Sequence, residues 1–340
     1  ASAMFLPYGW LSWTGLHKQY ADAKVLLDLG DDSEMIVFYN TRLARCWDRA
    51  TETTQASTLM ARAEDYRLGT VPLPVTVLTA AIDTQGDRLE VKVVGWADQM
   101  ECWIVDYRVI NSDPSDEATW KQAYDLLTVP YAHAGGSTIP VSQIFVDSGG
   151  LHTQEVYNFT MRAKTKGFFP IKGDARPDRP IIPTRPSQTD YKYNGKLIKK
   201  GVTLWHIGTD TAKDYLYARW KRGEGQGAVH FSNDLPEDYY AQLVSEFRAS
   251  KWVNGKKKSY WDKKKQDRNE ALDLMVYNLA AAYKLGLHRL TSAQWKKRHE
   301  KLLTDTQQHV EIVEELKPSQ EVKKKIRLKP RGRFNAQAWN

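Results

Sequence analysis

The sequence predicts an α/β fold on a mixed sheet, an antiparallel three-strand meander extended by parallel strands and flanked by helices. Three observations carry that expectation. VTVLTAAID, LEVKVVGWA and ECWIVDYRVI, between residues 75 and 110, are strand-length apolar runs separated only by Gly or polar turn signals. A fourth run, IPVSQIFVD at 139–147, and a fifth at Phe168–Lys172 each follow a stretch with helical spacing. The order of three strands, helix, strand, helix, strand is a layered α/β pattern.

Taken along the chain, residues 1–70 read as a lead-in subdomain. They carry Trp10, Trp13 and Trp47, a helical stretch at Leu16–Leu29 and a polar helix near Thr54–Tyr66. Residues 71–290 hold the sheet. Within them Asp116–Leu127 and Thr153–Lys164 have helix-face spacing, and Asp174–Thr189 is an irregular Pro- and Arg-bearing loop. Tyr191–His206 reads as a hairpin, Thr211–Arg222 and Pro236–Ala249 as helices, and KWVNGKKKSYWDKKK as a basic hairpin. Asp267–Leu285 is the most regular helix, its stripe formed by Leu272, Met275, Val276, Leu279 and Tyr283. Residues 291–340 form a charged helix and a Lys/Arg-rich tail with little to bury.

Composition narrows the function classes. The formal charge of +8 favours a polyanionic partner, which raises nucleic acid without fixing it. The two cysteines, Cys46 and Cys102, make no CxxC pair or zinc cluster, so a reducing compartment is expected. No apolar run approaches membrane-spanning length. The opening Ala-Ser-Ala-Met reads as a scar before an internal segment, so the chain is expected to be a fragment. It contains no GxxxxGK[ST], and ATP-driven work is not expected of these residues.

Phosphodiester hydrolysis needs an activated water and neutralised charge on the attacking and leaving oxygens, which two Mg²⁺ or Mn²⁺ ions about 3.5–4 Å apart supply. Such hard cations prefer carboxylates and waters. Asp83 closes the first strand, Asp147 closes the fourth, and Asp273 lies on the late helix, a trio suited to one site. An aspartate before a turn commonly bonds only local backbone. Asp83 and Asp147 stand out because each ends an otherwise apolar run, and Asp273 because it is read as lying past the first helical turn, where Asp has poor propensity.

Glu270 and Asp87 are second-line candidates; their plainer roles are helix N-terminal charge and a hairpin turn. His152, past Asp147, reads as solvated or capping. Phosphate contacts are expected from Lys251, Lys256, Lys257, Lys258, Lys263, Lys264, Lys265 and Arg268, interleaved with Trp252, Tyr260 and Trp261. Lys172, Arg176, Arg179 and Arg185 are candidates for the opposite side.

AAIDTQGDRLEVKVVGWA, then QIFVDSGG with FPIKG, then RNEALDLMVYNLAAA, in that order, resembles the large terminase subunit of lambda-like tailed phages across roughly residues 5–290. The resemblance implies an RNase H-like nuclease, the C-terminal part of a packaging motor whose ATPase lies elsewhere. It implies cutting of concatemeric viral double-stranded DNA, Asp83, Asp147 and Asp273 as ligands of Mg²⁺ or Mn²⁺, and action in the host cell cytoplasm. The implied partners are DNA, the terminase small subunit and the portal protein of the procapsid, which the tail containing VKKKIRLKPRGRF is expected to meet. Two other readings stay open: a transposase or resolvase relative, which also sets three acids on an RNase H-like sheet, and a non-catalytic DNA-binding or portal-docking module.

Overall fold

The computed structural model describes residues 12–28, 33–45, 54–176, 178–193, 195–222, 225–253 and 256–315, with backbone alone for 251–253, 256–258 and 305–315. Trp10, Cys46, Trp47 and the tail containing VKKKIRLKPRGRF lie outside the described residues.

The chain opens with α1 (Trp13–Asp28), α2 (Ser33–Val37) and a π-helical turn at Phe38–Leu43. Leu16, Ala23, Met35 and Phe38 give this hairpin a small core of its own. Next come α3 (Ala56–Met60), β1 (Ala63–Glu64) and β2 (Thr70–Val71). The meander follows as β3 (Val77–Thr84), β4 (Leu89–Trp96) and β5 (Cys102–Ile110), then α4 (Glu117–Thr128). Two short strands, β6 (Tyr131–His133) and β7 (Thr138–Ile139), lead to β8 (Val141–Asp147), α5 (Thr153–Ala163) and β9 (Phe168–Asp174). The second half runs β10 (Ser187–Tyr193), β11 (Lys196–Gly208), α6 (Thr209–Trp220), β12 (Val229–Ser232) and α7 (Glu237–Leu243). It closes with the hairpin β13 (Glu246–Val253) and β14 (Lys256–Lys263), then α8 (Glu270–Lys284) and α9 (Ser292–Glu315).

Among the described residues the large sheet has the order β1-β12-β5-β4-β3-β8-β9-β11-β10. The meander pairs antiparallel, and β3–β8, β8–β9 and β9–β11 pair parallel. Strand period decides which helices cover which face. Leu78, Ala80 and Ile82 of β3 share one core with Ile144 and Val146 of β8 and with α4 and α5 residues such as Trp120 and Phe159. The alternate residues Val77, Ala81 and Phe145 belong to the other core, with Leu272, Met275, Val276 and Leu279 of α8 and Leu216 of α6. The centre of the sheet is therefore buried on both faces, which explains why β3, β4 and β8 read as nearly continuous apolar runs.

The expected meander, both flanking helices and the fourth and fifth strands are present. Three segments differ. The polar helix expected at Thr54–Tyr66 stops at Met60, and Ala63–Glu64 instead join the sheet edge beside β12, so the sheet draws on residues before position 71. The helix expected at Pro236–Ala249 ends at Leu243, and Glu246–Val253 pair with β14. β12, which had no sequence expectation, inserts parallel between β1 and β5.

Candidate active site

Register places the first two acids. Ile82 of β3 aligns with Val146 of β8, so Asp83 and Asp147 follow one step later on neighbouring parallel strands, which are spaced about 4.8 Å apart. Both project to the face of Ala81 and Phe145, which α8 covers. Thr84 Oγ1 donates to the Asp147 carbonyl at 3.1 Å and ties the strand ends together. Beyond Asp147 the chain doubles back, and the Gly149 N–H donates to Asp147 Oδ1 at 3.1 Å. A Cβ at Gly149 would lie 3.3 Å from that oxygen, so a side chain there would crowd the carboxylate.

The third acid depends on how α8 is rotated. Thr79 Oγ1 donates to Asn278 Oδ1 at 2.7 Å, and Asn278 Nδ2 donates to the Lys92 carbonyl at 3.3 Å. The buried Lys92 Nζ donates to the Ala271 carbonyl at 2.5 Å. These bonds fix the helix against β3 and β4 with Asp273 toward the strand ends. Asp273 lies in the first turn of α8, contrary to the expected mid-helix position. A carboxylate is favoured there by the helix dipole, so helix propensity does not set Asp273 apart.

Burial pushes the Asp83 carboxyl well above the usual range, and Asp147 and Asp273 add to the rise. Asp83 is 4% exposed, and the donor to its Oδ2 is the neutral Gln85 amide at 2.6 Å. Asp147 is raised to about 6, chiefly by burial and then by Asp273, against the Gly149 N–H. Asp273 is raised by burial, opposed by Lys213 and reinforced by Glu246. Tyr277, one turn after Asp273, is raised by burial and then by all three aspartates, which marks them as one electrostatic cluster. Among the described residues no three carboxylate, His or Cys side chains already form a closed metal-binding group. The donor set still fits a divalent cation: three hard oxygen donors from three elements, two of them on strand ends, with Lys172 acting electrostatically on Asp147 and a positive charge held against Asp273.

The charge at Asp273 comes from Lys213 of α6, which sequence reasoning missed. Its Nζ lies 3.4 Å from Asp273 Oδ1 and 2.7 and 2.9 Å from the Glu246 carboxylate oxygens. Burial works against the ammonium, but Asp273 and Glu246 outweigh it and hold its pKa above lysine's usual value. Asn269 Nδ2 donates to Glu246 Oε1 and Asp273 Oδ2, each at 2.8 Å. Glu246 begins β13, so the basic hairpin is tied directly to the acid cluster. The only local signal for any of these was Asn269 ahead of a helix.

The second-line acids have other partners. Glu270 pairs with Arg88 at 2.9 Å and Arg268 at 3.2 Å, and the exposed Asp87 pairs with Arg88 at 2.9 Å. Arg88 and Arg268 also grip Glu90, a buried residue opposite Asp83 in the β3–β4 register. His152 Nε2 lies 3.2 Å from the Gly86 carbonyl. Lys172 is exposed and acts electrostatically on Asp147. Arg176 and Arg179 pair with Asp174 at 2.5 and 3.2 Å, and Arg185 is exposed. Lys263 Nζ donates to the Asp267 carbonyl at 2.6 Å, whereas Lys264 and Lys265 are exposed in the turn before α8. The side chains of Lys251, Trp252, Lys256, Lys257 and Lys258 lie outside the described residues.

The central order β5-β4-β3-β8-β9, with three antiparallel strands followed by two parallel ones and helices on both faces, is an RNase H-like sheet of the nuclease type. Over residues 2–295 the sequence matches the family described as terminase large subunit gpA, endonuclease domain, and the chain belongs to that family. It is 34% identical over 310 residues to the terminase large subunit of Escherichia phage lambda, covering 87% of this chain and 44% of that protein. To the terminase large subunit of Enterobacteria phage P21 it is 35% identical over 284 residues, covering 79% of this chain and 41% of that protein. The chain thus spans less than half the length of these relatives. No solved structure matches it significantly.

Proposed function

We propose that this chain is a divalent-metal-dependent endonuclease that cuts concatemeric viral double-stranded DNA during genome packaging. Asp83, Asp147 and Asp273 hold Mg²⁺ or Mn²⁺. The observation that carries the reading is the convergence of three carboxylates from β3, β8 and α8 on one face of the sheet, with Asp83 raised by burial, Asp147 and Asp273, and Asp147 raised by burial and Asp273. Carboxylates kept at that cost are the signature of a site waiting for positive charge.

Bound metal supplies Lewis-acid activation of water and neutralisation of the phosphate oxygens. The chain's own residues do the positioning. Gln85 and the Gly149 N–H orient Asp83 and Asp147, while Lys213 and Asn269 orient Asp273. The hairpin lysines and Lys172 attract the phosphodiester backbone without reading its bases. A terminase small subunit and the portal protein are the partners this reading assigns, and the host cytoplasm its compartment. Among the described residues no helix is long and apolar enough to cross a membrane.

The test is incubation of the chain with supercoiled plasmid in EDTA, Mg²⁺ or Mn²⁺. Nicked and linear products are expected in either metal and none in EDTA. Intact plasmid in both metals across a range of salt would sink the nuclease reading.

A further inference from the structure

Asp273 is held differently from its two companions. The Asp83 and Asp147 carboxylates accept from the neutral Gln85 amide and Gly149 N–H, whereas Asp273 faces a buried ammonium. Lys213 is nearer to Glu246, at 2.7 and 2.9 Å, than to Asp273, at 3.4 Å. Its charge is therefore divided between the two carboxylates, with the shorter contacts made to Glu246. Asn269 bridges the two carboxylates and fixes their spacing. An ammonium in this place does two things. It steadies Asp273 when no metal is present, and it adds positive potential where a divalent cation is to bind.

We propose that Lys213 is a positioning residue that holds Asp273 toward the Asp83 and Asp147 strand ends and competes with divalent cations for it, with Glu246 setting the strength of that competition. The inference rests on the reading of the three aspartates as metal ligands. It yields opposite signs for two substitutions. Lys213→Met removes the competing charge, so Mn²⁺ binds more tightly, by about tenfold or more. Glu246→Gln releases the ammonium to Asp273, so Mn²⁺ binds more weakly by a similar factor. A purely structural role for the pair predicts weaker binding in both variants, because each would only disorder the site.

The experiment is calorimetric titration of Mn²⁺ into the metal-free chain, with thermal melting in EDTA as the check on folding. Lys213→Met is expected to melt at a lower temperature in EDTA yet bind Mn²⁺ more tightly than wild type. Unchanged or weaker binding by folded Lys213→Met overturns the proposal. If that variant does not fold, Glu246→Gln decides alone, and binding equal to or tighter than wild type overturns the proposal. Asp83→Asn separates the two levels of the argument. It is expected to lose Mn²⁺ binding, and if it binds as wild type does, the metal-ligand assignment fails and the inference falls with it.

Discussion

A carboxylate that is 4% exposed and bonded to a neutral amide is costly to ionise, and Asp83 bears that cost beside two other acids. Replacing it by Asn keeps its shape and removes the charge. Asp83→Asn, Asp147→Asn and Asp273→Asn are each expected to lower plasmid cleavage by roughly a thousandfold or more. Asp83→Asn is also expected to raise the melting temperature in EDTA at pH 8 by roughly 2–4 °C. Ordinary cleavage by any of the three removes that residue from the site, and a lowered melting temperature removes the electrostatic explanation. Asp83 and Asp147 were legible because each ends an apolar run, and the sheet period then puts both on one face. Asp273 is less legible, since its place in the first turn of α8 is an ordinary one for Asp. Lys213 and Glu246 were not legible at all. They meet only because α6 and the start of β13 are folded against α8, and no local pattern encodes that meeting.

At the scale of elements, the question is what keeps α8 aligned with the ends of β3 and β8. Glu90 on β4 is fully buried, and it accepts from Arg88 at 2.8 Å, Arg268 at 2.5 Å and the Tyr107 hydroxyl at 2.7 Å. Both arginines also pair with Glu270, the first residue of α8, so the cluster bolts the helix start to the sheet. Breaking a buried pair leaves its partners desolvated and unmatched. Glu90→Ala is expected to destabilise the chain by about 3 kcal/mol, read as an earlier denaturant midpoint with an unchanged slope. An unaltered midpoint would show that α8 is held by its apolar stripe alone. That stripe, like the meander, was legible from its period. The boundary at residue 243 was not, because Phe247 and Arg248 are committed to strand by pairing with Asp262 and Trp261 on β14. Such cross-strand pairing overrides a local helical spacing.

For the molecule as a whole, a net charge of +8 coexists with a buried acid cluster, and pH separates their effects. Asp147 is raised from 3.8 to about 6, and Asp83 and Asp273 are raised as well. Over that interval these acids hold more protons in the folded chain than in the unfolded one, so their contribution to stability falls as pH rises. The contribution of these acids is complete below pH 3.8 and is lost as pH rises through the folded-state values. Asp174 acts in the opposite sense: its hydrogen bonds with Arg176 lower it to about 2, and its contribution is lost only as pH falls below the ordinary carboxylate range. The window from pH 4 to 8 therefore isolates the acid cluster from that pair. A cation that binds the folded, ionised cluster adds stability in proportion to the logarithm of one plus the ratio of its concentration to its dissociation constant, about 2.7 kcal/mol at a hundredfold ratio. That gain grows with pH because the bound form must be deprotonated. Melting temperatures measured from pH 4 to 8 are accordingly expected to decline in EDTA and to hold level or rise in Mn²⁺, the two curves parting most at the alkaline end. Asp83→Asn is expected to flatten the EDTA curve and bring the two together. Parallel wild-type curves across the whole interval would separate metal binding from the buried carboxylates, and with it the catalytic role assigned to them.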